Sequence, residues 1–137
     1  MSTNKTDIRW QQRLQNLEKA YSDFSDACGL KKYSKLERSG LIQTFEFTFE
    51  LAWKTLQDLL LSRGYQGIQG PKPVIEQAFQ DGLIHEGESW MKMLVSRNLT
   101  VHSYDEKTAE EIATLIRNKY FPLLTGLLQQ LRKEKNI

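Results

Sequence analysis

Residues 96–106 read SRNLTVHSYDE and set Arg97, His102 and Tyr104 within eight positions of one another. The chain has only two histidines. An imidazole, with an ordinary pKa of about 6.5, takes or gives a proton near neutral pH. A guanidinium grips a phosphate through two N–H bonds and stabilises developing negative charge. Together these groups suit phosphodiester chemistry, and in RNA the 2′-hydroxyl is an internal nucleophile, so no metal is required. An ideal helix turns about 100° per residue. Arg97 and Tyr104 would then share a face, whereas Arg97 and His102 would diverge by roughly 140°. Two arrangements reunite them: a helix end near Thr100–Val101, or a cleft built from two subunits. The ordinary alternative is a surface ion pair for Arg97, a helix-end cap for His102 and core packing for Tyr104. Spacing alone favours that alternative, because an Arg-x4-His match arises easily by chance.

Other constellations are weaker. Metal sites in helical bundles use Glu-x-x-His pairs from facing helices. His85 falls in an expected loop, and His102 has no glutamate three residues before it. No metal and no cofactor are expected. Cys28 stands at an expected helix end with no neighbouring histidine, which suits an inert thiol better than a nucleophile. GYQGIQGPK lacks the GK[ST] ending of a phosphate-binding loop, so its glycines read as turn formers. Glu46, Glu50 and Lys54 lie four apart, as in an exposed ladder of i,i+4 pairs. Their neighbours Phe45, Phe47, Phe49 and Trp53 leave a second option, a partly desolvated carboxylate oriented in a cleft.

The elements that must carry these residues read as helices almost throughout. Ile8, Leu14, Leu17, Tyr21 and Phe24 predict a first helix over about 7–27, stopped by Gly29. A second helix is predicted from near Ser34 to Arg63, ended by Gly64. FEFTFELAW, at 45–53, alternates like a strand. Leu41, Phe45, Phe49, Trp53, Leu56 and Leu60 nevertheless form one helical stripe, and the run is too long for a strand. Pro71 or Pro73 suits the first turn of a short helix over about 73–82. A fourth helix over about 88–101 would present Trp90, Leu94 and Val101 on one face. A fifth starts between Asp105 and Thr108, where Thr108 and Glu111 have capping-box spacing. Its stripe is Ile112, Leu115, Ile116, Leu123, Leu127 and Leu131, with a kink expected at Pro122.

This pattern predicts an all-α, antiparallel up-and-down four-helix bundle with an extra short helix, one domain over 1–137. Phe47 and Tyr33 fall off the stripes, which suits either a dimer face or a wide core. The 137 residues are 39% apolar and 26% charged, with net charge +2. That balance neither demands nor excludes nucleic acid, so any basic footprint must be local. One cysteine, no apolar leader in MSTNKTDIRW and no membrane-length apolar run lead us to expect a cytoplasmic protein.

RNLTVHSY is a full match to the Arg-x4-His-x-Tyr motif of HEPN proteins. With FEFTFELAWKTLQDLL, GPKPVIEQAFQDGLI and MLVSRNLTVHSYDEKTAEEI, the chain resembles the nucleotidyltransferase substrate-binding proteins over roughly residues 10–130. The resemblance implies a dimer that brings two motifs to a shared cleft for RNA or a nucleotide. It implies a minimal nucleotidyltransferase encoded nearby as partner, often in a toxin–antitoxin pair. In that setting Arg97 and His102 would be the catalytic pair of a metal-independent endoribonuclease. Tyr104 would receive AMP from the partner, silencing the toxin. Asn98, beside the arginine, would hold the helix end or contact phosphate. Glu46 and Glu50 match the family's acidic positions on helix two less closely than the motif matches. The older family name implies the alternative of a non-catalytic subunit that binds substrate for the nucleotidyltransferase.

Overall fold

A computed structural model describes residues 5–135. The ends of the expected 1–137 unit, and the first residues of the stretch read for a leader, lie outside the described residues. The protein is an all-helical bundle. Its helices are α1 (Lys5–Cys28), α2 (Lys35–Ser62), α3 (Pro71–Gln80), α4 (Gly87–Leu99), α5 (Glu106–Leu115) and α6 (Phe121–Lys135). Among the described residues no helix is long and apolar enough to cross a membrane.

α2 is the central element and packs against α1, α3, α5 and α6. It starts at Ser34, whose hydroxyl accepts from the Glu37 N–H at 3.1 Å while Glu37 Oε1 accepts from the Ser34 N–H at 2.9 Å. This capping box satisfies two orphan donors of the first turn. The alternating segment is helical, as its stripe predicts: Phe45 and Phe49 are fully buried and Phe47 is 61% exposed. Phe45 lies at the hub of the core, 6.3 Å from the Phe24 ring, 6.1 Å from Phe49 and 5.6 Å from Tyr120. α1 contributes Trp10, Leu14, Leu17 and Phe24, and Ile8, expected on that stripe, is exposed. One buried charge ties the two helices: Arg13 Nε donates to Asp58 Oδ2 at 2.6 Å. Losing Arg13 would leave the buried Asp58 carboxylate uncompensated, whereas Arg13, one-third exposed, would keep water.

The predicted fifth helix is two helices. Between them Ile116–Tyr120 adopts π geometry, which widens the turn by one residue ahead of Pro122. Proline at 122 has no N–H to return to the preceding turn, so the ladder is already broken there. The irregularity keeps the apolar face inward: Ile112, Ile116, Tyr120, Leu124, Leu127 and Leu131 are all buried. Leu115, predicted on this stripe, is exposed, and Leu123 is half-buried. Val101, predicted on the inner face of the fourth helix, is 67% exposed because α4 ends before it.

Candidate functional site

α4 ends at Leu99, and the chain tightens into a single 3₁₀ turn over Thr100–His102. The turn is held at each step: the Thr100 N–H donates to Arg97 O, the Ser103 N–H to Thr100 O and the Asp105 N–H to His102 O. Asp105 then caps α5, accepting from the Thr108 N–H at 3.0 Å and the Thr108 hydroxyl at 2.8 Å. The cap is therefore Asp105, and the expected Thr108–Glu111 box is not formed. Aspartate at this position fixes the start of the helix and lends it negative charge. These hydrogen bonds hold the Asp105 carboxyl below its usual range.

The helix ends where expected, but within one chain the end does not bring Arg97 and His102 together, and Tyr104 does not share the face of Arg97. Arg97, on the last turn of α4, reaches inward to α2. Its Nη1 lies 3.3 Å from Glu46 Oε2 and its Nε 4.0 Å from Glu50 Oε1. The side chains of Arg97 and Glu46 are only 24% and 33% exposed. His102 and Tyr104 stand outward on the turn. Tyr104 is 83% exposed, which excludes the core role of the ordinary reading. The edge of one ring faces the other, with centroids 6.1 Å apart. Asn98 is also exposed. Among the described residues no hydrogen bond joins Arg97 to His102.

Thr100, which sequence reasoning missed, joins the two helices at this point. It is 4% exposed. Its hydroxyl accepts from Arg97 Nη1 at 3.2 Å and lies 3.0 Å from Glu46 Oε2 and 2.7 Å from the Arg97 carbonyl. With one proton to give, the hydroxyl relays the guanidinium to the carboxylate. Such charge-assisted contacts are stronger and more directional than neutral ones. Arg97 Nε is buried and has no hydrogen-bond partner, since Glu50 at 4.0 Å is beyond bonding reach. The guanidinium is fixed in direction by its contacts with Glu46 of α2 and with Thr100. One residue earlier, Ser96 shares a 2.6 Å hydrogen bond with the Tyr120 hydroxyl, which locks the end of α4 to the π segment. Glu50 also faces Lys54 at 3.7 Å, one rung of the expected i,i+4 ladder.

The other chemistry-bearing residues stay apart from this site. Cys28 is half-buried, and burial pushes its thiol up to about 12 although Arg117 pulls the other way. His85 is exposed in the loop before α4. Among the described residues no three of His, Cys, Asp and Glu cluster as metal ligands would.

A bundle of helices carrying Arg-x4-His-x-Tyr across a helix end defines a small all-α protein of HEPN type. The chain belongs to the nucleotidyltransferase substrate binding protein like family, whose model matches residues 12–133. It is 32% identical over 99 residues to a Haemophilus influenzae protein named Probable ribonuclease HepT, a match covering 69% of this chain and 67% of the relative. A solved structure from Thermus thermophilus superposes with a TM-score of 0.76 at 37% identity, covering 85% of this chain and 98% of that one. A second, from Haemophilus influenzae, is described as having the fold of a substrate binding domain of a nucleotidyltransferase. It gives a TM-score of 0.63 at 27% identity, covering 91% of this chain and 98% of the other.

Proposed function

We propose that this protein is the ribonuclease toxin of a two-component module, restrained by a minimal nucleotidyltransferase. The observation that carries the reading is the division of labour at the end of α4. A guanidinium is anchored by Glu46 and Thr100, while an imidazole and a phenol on the turn that follows are open to solvent. In cleavage the RNA 2′-oxygen attacks the adjacent phosphorus and the 5′-oxygen leaves. His102 moves the protons, and Arg97 holds the phosphate as its charge grows. A cyclic phosphate and a 5′-hydroxyl result, with no metal required. The relative named as a probable ribonuclease supports the same activity.

The bundle is read as an antiparallel, up-and-down single domain over 1–137, cytoplasmic, and a dimer. Val95 and Leu99 lie one turn apart on an outer face of α4, and Val101 continues it onto the turn, all exposed. An apolar strip of this kind beside the motif suits a partner copy, which would bring two Arg97–His102 sets to one groove. Asn98, on the same turn of α4, would contact phosphate there. Tyr104 is the control point. Its oxygen would attack the α-phosphorus of ATP on the partner enzyme, and pyrophosphate would leave. The added AMP brings bulk and a negative phosphate into the groove, opposing RNA.

One observation favours a second reading, a non-catalytic subunit that binds substrate for the nucleotidyltransferase. Arg97 faces two carboxylates, Glu46 and Glu50, which reduce its net pull on an anion. Cleavage of single-stranded RNA in EDTA separates the readings. Wild type should cleave, and Arg97→Ala and His102→Ala should each lose at least about a hundredfold, the usual share of a general acid–base group. Equal cleavage by all three overturns the catalytic assignment. Nucleotide binding without any cleavage establishes the second reading. After co-expression with the nucleotidyltransferase, mass spectrometry should find AMP on Tyr104 and none in Tyr104→Phe.

A further inference from the structure

The link between α1 and α2, GLKKYSK, carries charge that the Arg97–His102 site does not use. Lys31, Lys32, Arg38 and Arg117 line a cavity of about 340 Å³ over Tyr33, and Glu110 is the one carboxylate in its lining. The neighbouring acids are committed elsewhere. Glu37 closes the capping box of α2, and Glu106 lies 2.6 Å from Lys35. Among the described residues no carboxylate oxygen comes within 4.0 Å of a nitrogen of these four cations.

The cluster is built, not merely solvated. The Tyr33 hydroxyl donates to Ala27 O at 2.5 Å, which fixes the ring. The Arg117 guanidinium lies 4.7 Å over that ring, and its Nε is buried without a hydrogen-bond partner. A buried donor left unpaired in a native fold calls for an acceptor. Arg117 belongs to the π segment, a kind of irregularity that recurs at functional positions. A positively charged recess of four cations around a fixed aromatic matches the phosphate backbone of a single strand.

The recess also borders the helix that follows the turn carrying His102 and Tyr104: Glu110 and Ala113 of α5 line the cavity. From Glu106 to Ala113 the helix rises about 10 Å at roughly 1.5 Å per residue. That is roughly three phosphates of a stacked strand at about 3.4 Å each. We infer that Lys31, Lys32, Arg38 and Arg117 form a second phosphate-binding station for single-stranded RNA, a few nucleotides from the bond cleaved at His102. The inference takes its ligand from the ribonuclease reading.

The test measures binding in a His102→Ala background, by fluorescence anisotropy of a labelled single strand of about 16 nucleotides. Lys31→Ala/Lys32→Ala/Arg38→Ala should weaken binding at least about tenfold at low salt. It should also reduce the log–log salt slope by roughly 2, about 0.7 for each phosphate no longer neutralised. Lys133→Ala/Lys135→Ala, exposed cations at the end of α6, should change neither. Cleavage by the otherwise wild-type protein is followed in parallel. Cleavage with unchanged RNA affinity in the triple variant overturns this station and leaves the ribonuclease reading intact. RNA binding that depends on the station without any cleavage supports the station and overturns the ribonuclease reading. Unchanged RNA affinity with loss of binding to the nucleotidyltransferase assigns the patch to that protein and overturns the inference.

Discussion

Thr100→Val tests whether the end of α4 is fixed to α2 by one hydroxyl. Valine keeps the shape and removes only the oxygen, so no cavity opens. Two hydrogen bonds go: one accepted from Arg97 Nη1 at 3.2 Å and one donated, to Glu46 Oε2 at 3.0 Å or to the Arg97 carbonyl at 2.7 Å. Hydrogen bonds to charged partners contribute roughly 1.5–3 kcal/mol when water cannot replace them. Glu46 is one-third exposed and recovers part of that from solvent, so about 1–2 kcal/mol is expected. With a urea m-value near about 2 kcal/mol/M, the midpoint falls by roughly 0.5–1 M. Because the bond is shared, Thr100→Val and Glu46→Ala should not add. A double-mutant cycle in urea should give a coupling of at least about 0.5 kcal/mol. Ribonuclease activity should fall with the freedom that Arg97 gains, mainly in kcat. Additivity within about 0.3 kcal/mol, with wild-type kcat, refutes the claim that Thr100 positions the guanidinium.

Three further outcomes follow from the same geometry. Tyr120→Phe removes the hydroxyl shared with Ser96 in the core and should cost about 1 kcal/mol in urea unfolding, while an unchanged midpoint would contradict the lock on α4. Cys28, with its thiol pushed from 9.0 up to about 12, should react with iodoacetamide at pH 8 at least about tenfold more slowly than a free thiol, because its thiolate is scarcer although more nucleophilic, and reaction at the free rate would refute its burial. The Asp105 cap should be acid-sensitive, since its folded carboxyl is more acidic than the unfolded one. Its contribution is complete above the ordinary value of 3.8 and fades as pH falls through the lower folded value. Protection of the Thr108 amide, measured against its intrinsic exchange rate, should therefore fall as pH drops through that lower value in wild type and show no such acid step in Asp105→Asn.

Much of the fold was legible because periodicity reports burial directly. The steps from Leu41 to Phe45, Phe49, Trp53, Leu56 and Leu60 overrode the strand-like alternation; five of the six are fully buried and Trp53 is half-buried. Gly64 and Gly82, both at positive φ, marked the ends of α2 and α3 where the sequence placed them. The π segment was not legible: widening one turn changes hydrogen bonding without changing residue types, and Pro122 pointed only to a disturbance nearby. At the site, local geometry foretold that Arg97 and His102 diverge on one helix and need a helix end or a second subunit to meet. The helix end is present, yet among the described residues no hydrogen bond joins the two within one chain. The anchoring was hidden because it is long-range. Thr100 meets Glu46 across 54 positions, Arg13 meets Asp58 across 45, and Ser96 meets Tyr120 across 24. A threonine at a helix end carries no mark of such a partner. Asp105 and Thr108 are both good capping residues, and only the backbone path decides between them.

The central claim is that the exposed imidazole and the anchored guanidinium cleave RNA through its own 2′-hydroxyl. The most direct measurement compares two EDTA-treated single strands, one all-ribose and one with a 2′-deoxy residue at the mapped cleavage site, with the product ends identified by mass spectrometry. The account predicts cleavage of the all-ribose strand to a 2′,3′-cyclic phosphate and a 5′-hydroxyl, and no cleavage at the substituted site. Equal cleavage of both strands, or products ending in a 5′-phosphate, would contradict it.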